Sequence, residues 1–151
     1  MFFSTDMKDL ISLFHKHEVV YALVGGFAVN YYGYSRMTQD IDFLLYPSKQ
    51  NAIRIMSALE EFGFGNAGIP QRLFEKEGTA IHIGVEPNRI DLLTHLVGIS
   101  NETIFLNRRE ITLDGIQVNI IHRSDLIKIK KASERLRDNA DAEELEKLTD
   151  N

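Results

Sequence analysis

The stretch GGFAVNYYGYSRMTQDIDF, residues 25–43, decides the fold of this 151-residue chain. It places two adjacent glycines one short helix before an Asp-x-Asp pair. Residues 19–24 form an apolar run typical of a buried strand, which the glycines end. Residues 27–32 are typical of a short helix, and residues 40–45 alternate polar and apolar side chains as a strand does. The stretch therefore predicts a strand, a glycine turn, a helix and a second strand.

The rest of the chain continues this mixture of helices and strands. Apolar residues at helical spacing predict a first helix after a cap region at residues 4–6, and a third helix that Ser48 opens and Gly63 closes. Three β-like runs, a hairpin and two closing helices are predicted over residues 72–77, 80–85, 89–94, 111–121, 124–136 and 140–148. The Asp114-Gly115 pair marks the hairpin turn.

This pattern predicts the class α+β, with a mixed, twisted β-sheet flanked by helices and two C-terminal helices. The sequence contains no repeat, low-complexity run or linker. We therefore expect a single domain over residues 1–151, with its core at residues 19–121 and its C-terminal helices at residues 124–148.

Composition excludes several classes of protein. No apolar run approaches the ~18 residues of a membrane span, and the N-terminus lacks a basic leader, so we expect a cytoplasmic protein without a membrane partner. The chain has no cysteine, which removes disulfides and thiolate metal sites. Its net charge of −5 disfavours broad nonspecific binding to duplex nucleic acid.

Acidic residues stand inside apolar strand patterns at two places. Asp40 and Asp42 share one face of their predicted strand, because residues two apart in a strand point the same way. Asp91 lies in another apolar run, where an unpaired acid is unfavourable. Two interpretations stay open: Asp91 pairs with Arg89 on its own strand, or its strand adjoins that of Asp40 and three carboxylates converge. Convergence would favour Mg²⁺ or Mn²⁺, since all-oxygen ligand sets suit these ions.

The glycine pair has two interpretations as well. Gly25 and Gly26 follow a strand and open a helix, which requires a sharp turn for geometry alone. Without Cβ atoms, the same turn lets a phosphate approach the backbone N–H groups. Beside a candidate metal site the second interpretation gains weight, because cations neutralise the phosphates that the turn would hold.

These motifs together resemble the DNA polymerase β-like nucleotidyltransferase superfamily. More narrowly, they are similar to its small bacterial branch found in toxin–antitoxin and abortive-infection systems. The segments that carry the resemblance are Gly25-Gly26-Phe27-Ala28-Val29, Tyr32-Gly33, Arg36-x-Thr38 and Asp40-Ile41-Asp42. The resemblance implies a nucleotidyltransferase fold in which Asp40, Asp42 and Asp91 bind two magnesium ions as the catalytic carboxylates. It also implies that the Gly-Gly turn holds a nucleoside triphosphate.

The C-terminal part extends the resemblance. Asp125-Leu126-Ile127-x-x-Lys130 and the residues after it are similar to the helical segment of that branch, in which the lysine faces the nucleotide. Two interpretations of the basic helix that contains Lys130 stay open: a solvated face, or one cation that contacts the triphosphate. Arg36 and Thr38 precede the acids, and Arg36 either binds phosphate or pairs with Asp40 or Asp42.

From these features we expect a Mg²⁺-dependent nucleotidyltransferase that moves a nucleoside monophosphate from a triphosphate to a hydroxyl acceptor. Only two helices follow the sheet, so we expect a macromolecular acceptor, a protein or an RNA 3′ end, and the branch suggests a cognate toxin as a partner. A homodimer cleft that binds a small molecule is an alternative. A different class also stays open, that of a non-catalytic antitoxin or other partner-binding module.

Overall fold

The computed structural model describes residues 3–34 and 40–148, and its strands and helices lie within them. The strands are β1 (Tyr21–Val24), β2 (Ile41–Leu45), β3 (Ala80–Ile83), β4 (Ile90–Leu93), β5 (Arg109–Leu113) and β6 (Ile116–Ile120). The α-helices are α1 (Thr5–Lys16), α2 (Gly25–Tyr31), α3 (Lys49–Leu59), α4 (Asn101–Asn107), α5 (Arg123–Ala132) and α6 (Leu136–Glu146). A π-helical turn (Glu60–Phe64) and a 3-10 turn (Gln71–Phe74) follow α3.

The six strands form one mixed sheet in the order β3-β4-β2-β1-β6-β5. Sequential pairs such as β1 with β2 and β5 with β6 are antiparallel, whereas β2 pairs with β4 in parallel. A parallel pair requires a long crossover, and the chain between the two strands supplies it through α3 and β3. The sheet confirms the α+β expectation and makes β2 a central strand.

An aromatic cluster anchors the core on one face of the sheet. Phe14 of α1 lies with its ring centroid 5.3 Å from both Tyr21 of β1 and Phe43 of β2. All three side chains are fully buried. Phe43 follows Asp42 in β2, so burying it turns Asp42 toward the opposite face. Core packing therefore determines the side of the sheet on which the acids lie.

Several local predictions are confirmed by side-chain contacts. Ser4 and Ser48 cap α1 and α3 by accepting hydrogen bonds from backbone N–H groups three residues later. Asp114 and Gly115 form the turn between β5 and β6, and both have positive φ (51° and 80°), as a tight hairpin turn requires.

Other local predictions are wrong. Residues 72–77 are not a strand, because Phe74 is buried from a 3-10 turn that Pro70 precedes. The sequence pattern did not predict α4. Ser100 caps this helix, and its residues Ile104 and Phe105 are buried in the core. The first C-terminal helix stops at Ala132, and the second begins at Leu136. None of the helices in the described part of the chain is long and apolar enough to span a membrane.

Candidate active site

The sheet register brings the three predicted carboxylates to one place. In the parallel β2–β4 pair, Asp42 lies directly opposite Asp91. Asp40 comes just before β2, and its Oδ1 accepts a hydrogen bond of 3.2 Å from the backbone N–H of Arg89. All three acids line one pocket of about 930 Å³, a size typical of ligand sites.

The carboxyl of Asp42 is the most strongly perturbed in this pocket. Burial, followed by the charge of Asp91 and the hydrogen bond between the two carboxyls, raises the pKa of Asp42 to about 7. The positive charge of Lys130 acts in the opposite direction. Near neutral pH the pair therefore shares a proton, as two adjacent carboxylates do when their repulsion is not neutralised. A cation could take the place of that proton.

Asp91 is buried but is held in its charged form. Arg89 donates two hydrogen bonds to it, from Nε to Oδ1 at 2.9 Å and from Nη2 to Oδ2 at 3.1 Å. His82 Nδ1 lies 2.6 Å from the same Oδ1. Burial acts to raise the pKa of Asp91, but the hydrogen bonds with Arg89 and His82 outweigh it and lower that pKa. Both interpretations left open by the sequence are thus realised, since Asp91 pairs with Arg89 and also adjoins Asp42.

Arg89 also contacts two other carboxylates that line the pocket. Its guanidinium is 3.5 Å from Asp40 Oδ2 and 3.4 Å from Glu86 Oε1. Among the described residues, no three His, Asp or Glu side chains are arranged to hold a metal ion. The donor chemistry nevertheless fits Mg²⁺ or Mn²⁺, because three carboxylates line the same pocket. A divalent ion would have to displace Arg89 from Asp91, and the exposed Glu86 is an alternative partner for the guanidinium.

Gly25 is required by its contact with Asp42. Its φ of +68° is a left-handed conformation that side chains rarely adopt, and a Cβ atom built there would lie 2.1 Å from Asp42 Oδ2. The glycine therefore lets the backbone turn and lets the carboxylate of β2 pack directly against it. Gly25 and Gly26 also line the pocket, so the space above the turn belongs to the same cavity as the acids.

Lys130 lies at the pocket but is not on a solvated face. Its side chain is only 8% exposed, and its Nζ is 2.9 Å from Asp138 Oδ1 and 3.3 Å from Asp141 Oδ2. Burial opposes ionisation of Asp138, yet hydrogen bonds from Ser133 and Lys130 hold the pKa of Asp138 at about 2. These contacts join α5 to α6. The solvated interpretation holds for Lys131, which is exposed.

The structure thus brings six of the predicted site residues to one pocket: Asp40, Asp42, Asp91, Gly25, Gly26 and Lys130. Arg36 and Thr38 lie outside the described residues, so their predicted contacts with the nucleotide stay predictions.

Some contacts of the site were missed by sequence reasoning. His82 does not line the pocket, but the register sets it opposite Asp91, which it contacts. Arg89 was considered only as a partner of Asp91, and its contact with Asp40 depends on strand order. The pocket also has an apolar side that includes Val97, for which the sequence gives no signal.

Comparison with known proteins supports the fold. The lincomycin-bound crystal structure of the lincosamide antibiotic adenylyltransferase LnuA is similar over 97% of this chain and 99% of its own, with 13% identity and a TM-score of 0.56. An antigenic nucleotidyltransferase-like protein from Paracoccidioides brasiliensis is similar over 95% of this chain and 75% of its own, with 10% identity and a TM-score of 0.52. No protein-family model and no curated protein matches the sequence. At these identities the likeness establishes a nucleotidyltransferase fold.

Proposed function

We propose that this protein is a Mg²⁺-dependent nucleotidyltransferase, which transfers a nucleoside monophosphate from a nucleoside triphosphate to a hydroxyl group. One observation carries the proposal. Asp42 and Asp91 lie side by side on parallel strands and line the same pocket as the Gly25-Gly26 turn and Asp40. Such a repulsive group of acids has a chemical use when cations bind to it.

The pocket carboxylates have separate roles in the proposed reaction. The acceptor oxygen forms a bond to the α-phosphorus, the bond from that phosphorus to the bridging oxygen breaks, and pyrophosphate leaves. Asp91 accepts the proton of the attacking hydroxyl, either directly or through a water. Asp40, Asp42 and Asp91 would hold the Mg²⁺, which neutralises charge on the phosphates when bound. Release of Arg89 would free Asp91 for this role, and the guanidinium would keep its contact with Glu86.

The nucleotide is held by groups without negative charge. Gly25 and Gly26 have no side chains to obstruct a polyphosphate that approaches the main chain. Arg135 lines the pocket with its side chain mostly exposed, although its Nε donates to Asp138 at 2.9 Å, so it can reach a phosphate by releasing one hydrogen bond. Arg36 and Thr38 are proposed to add further contacts. Lys130 contributes positive potential at Asp42 while it remains held by Asp138.

The length of the chain does not decide which kind of molecule is the acceptor. The sequence suggested a macromolecular acceptor, because little chain remains after the sheet for a separate acceptor domain. LnuA, which is named an antibiotic adenylyltransferase, aligns over 99% of its own length with 97% of this chain. A chain of this size and fold therefore does not require a macromolecular acceptor. A protein, an RNA 3′ end, a cognate toxin and a small molecule all stay within the proposal.

Label transfer tests the proposal. The protein is incubated with Mg²⁺, cell lysate and each of the four α-³²P-labelled triphosphates, and pyrophosphate release is followed in parallel. We expect transfer from at least one triphosphate, and we expect Asp42→Asn to abolish it. Asp9→Asn is the matched control, because Asp9 is an exposed acid of α1 outside the pocket. Undiminished transfer by the Asp42 variant would refute the assignment.

A non-catalytic partner-binding module is the second candidate, and Arg89 is the observation that favours it. A module without metal should lose its clustered acids, but Arg89 already compensates Asp91 and Asp40 without any ion. Calorimetry separates the two candidates. Binding of a triphosphate that depends on Mg²⁺ supports the enzyme, whereas tight association with a partner protein, with no nucleotide binding, supports the module.

A further inference from the structure

The pocket has an apolar wall. Five of its lining residues carry no charge and no hydrogen-bonding side chain: Leu93, Leu96, Val97, Ile129 and Ala132. Val97 is 66% exposed. The wall joins the turn after β4 to the C-terminal half of α5, and it opens into the same cavity as the carboxylates.

The wall is held in place by specific contacts at both of its ends. Gly98 has a φ of +109°, and a Cβ atom there would lie 2.6 Å from the Cβ of Ala132, so the turn packs closely against the end of α5. At the other end, Asn101 donates from Nδ2 to the carbonyl oxygen of Thr94 at 3.0 Å. The exposure of Val97 is therefore a property of a fixed surface.

The position of the wall relative to Asp91 decides what it would contact. Leu93 lies two residues after Asp91 on the same face of β4, which places it ~7 Å further along the strand. A molecule whose hydroxyl attacks beside Asp91 can place its body against Leu93 and Val97 in the same pocket lining. The wall side chains offer a phosphate no partner, and the pocket cations Arg89, Lys130 and Arg135 already pair with carboxylates.

We infer that the wall is the acceptor subsite, and that the acceptor is a small hydroxyl compound with an apolar body. This inference rests on the proposed function, since it names the substrate class of the same site. A polynucleotide acceptor would carry a phosphate next to its terminal sugar and would place it on an uncharged surface. A polypeptide would bring main-chain N–H and C=O groups to a wall that offers them no partners.

Paired probes test this inference. Hexyl and methyl β-D-glucopyranoside present the same ring hydroxyls, as do hexane-1,2-diol and propane-1,2-diol, and the members of each pair differ only in alkyl length. We expect the longer member of at least one pair to bind at least about tenfold more tightly in calorimetry, because each buried methylene adds to the affinity. We also expect the longer member to compete better for label transfer from the triphosphate.

Variants of Val97 assign that preference to the wall. Val97→Asp should remove the preference for the longer probe, whereas Val97→Leu should retain it. Leu106→Asp is the matched control, because Leu106 is 84% exposed on α4 and does not line the pocket. Unfolding curves of the three variants check that each one is folded.

The outcomes separate the inference from the proposed function. Equal binding of the long and short probes, or a preference that survives Val97→Asp, would overturn the acceptor subsite. Label found on RNA or on a protein, with no competition from either long probe, would also overturn it. By contrast, absence of label transfer to any acceptor, together with a preference that depends on Val97, would refute the proposed function and leave the apolar binding site established.

Discussion

Replacing Asp42 by Asn should make the protein more stable while it removes the proposed activity. Burial and the charge of Asp91 raise the pKa of Asp42 from its ordinary value of 3.8 to about 7. A rise of this size corresponds to roughly 4 kcal/mol of free energy against the charged form. Because the pair shares one proton, we expect the measurable part to be about 1–3 kcal/mol. An Asn amide keeps the size of the side chain and can donate to Asp91 without a charge.

The sign of the effect depends on pH. The folded-state pKa of Asp42 lies above the unfolded value, so the folded protein loses stability as pH rises from about 4 to about 7. The Asn variant does not titrate and avoids this loss. It should exceed the wild type in unfolding free energy by about 1–3 kcal/mol at pH 8 and by little at pH 4.

Urea unfolding followed by circular dichroism, with EDTA present, measures this difference across pH. The same two proteins are then unfolded with Mg²⁺ and a triphosphate. We expect a gain in stability for the wild type and none for the variant, because only the wild type keeps the full carboxylate set. If the Asn variant is no more stable than the wild type at pH 8 without metal, Asp42 does not carry the buried charge that the reasoning requires.

Three further predictions concern neighbouring residues. Gly25→Ala should destabilise the fold by about 1–3 kcal/mol, because it combines a strained φ with a clash against Asp42. Gly68→Ala is the control for strain alone, because Gly68 has a φ of +73° and no atom would lie within 4 Å of the added Cβ. Equal losses of unfolding free energy in the two variants would contradict the clash. Arg89→Gln should bind Mn²⁺ several-fold more tightly than the wild type at pH 8 in an electron paramagnetic resonance titration, because it removes the guanidinium from Asp91 and Asp40. Weaker binding by the variant would mean that Arg89 helps to hold the ion. Asp138→Asn should destabilise the protein at pH 7, because hydrogen bonds favour the charged form of this carboxyl in the folded protein. The difference in stability between wild type and variant should fade as pH falls toward the folded-state pKa of about 2. Thermal unfolding at pH 7 and pH 3 measures this difference, and a constant value would refute the ionic contribution.

Much of the local structure could be predicted from the sequence. The caps at Ser4 and Ser48 and the turn at Asp114-Gly115 follow from the chemistry of a few adjacent residues, and they are confirmed. The alternation in residues 40–45 also agrees with the burial of Ile41, Phe43 and Leu45 in β2, but it does not account for Leu44, which is fully buried as well. These features depend on residues that are adjacent in the chain, so the sequence alone predicts them.

The arrangement of the site could be predicted only in part, because it depends on residues far apart in the chain. The contact between Asp42 and Asp91 requires a parallel β2–β4 pair, and the residues of the two strands do not reveal the strand order of the sheet. The sequence left open whether Lys130 lies on a solvated face, and its burial depends on two acids that α6 brings to it. Gly25 was expected at a sharp turn, whereas its packing against a carboxylate depends on the antiparallel partner strand.

The parallel pairing of β2 with β4 divides the pocket carboxylates between two halves of the polypeptide. Asp42 belongs to the half before the loop at residues 65–70, and Asp91 belongs to the half after it. A cut in that loop would give two fragments, each of which carries an incomplete set of these acids. The parallel register forms only when the fragments associate, so this fold offers a design for a split reporter, in which recovery of the proposed activity would measure the association of two fragments.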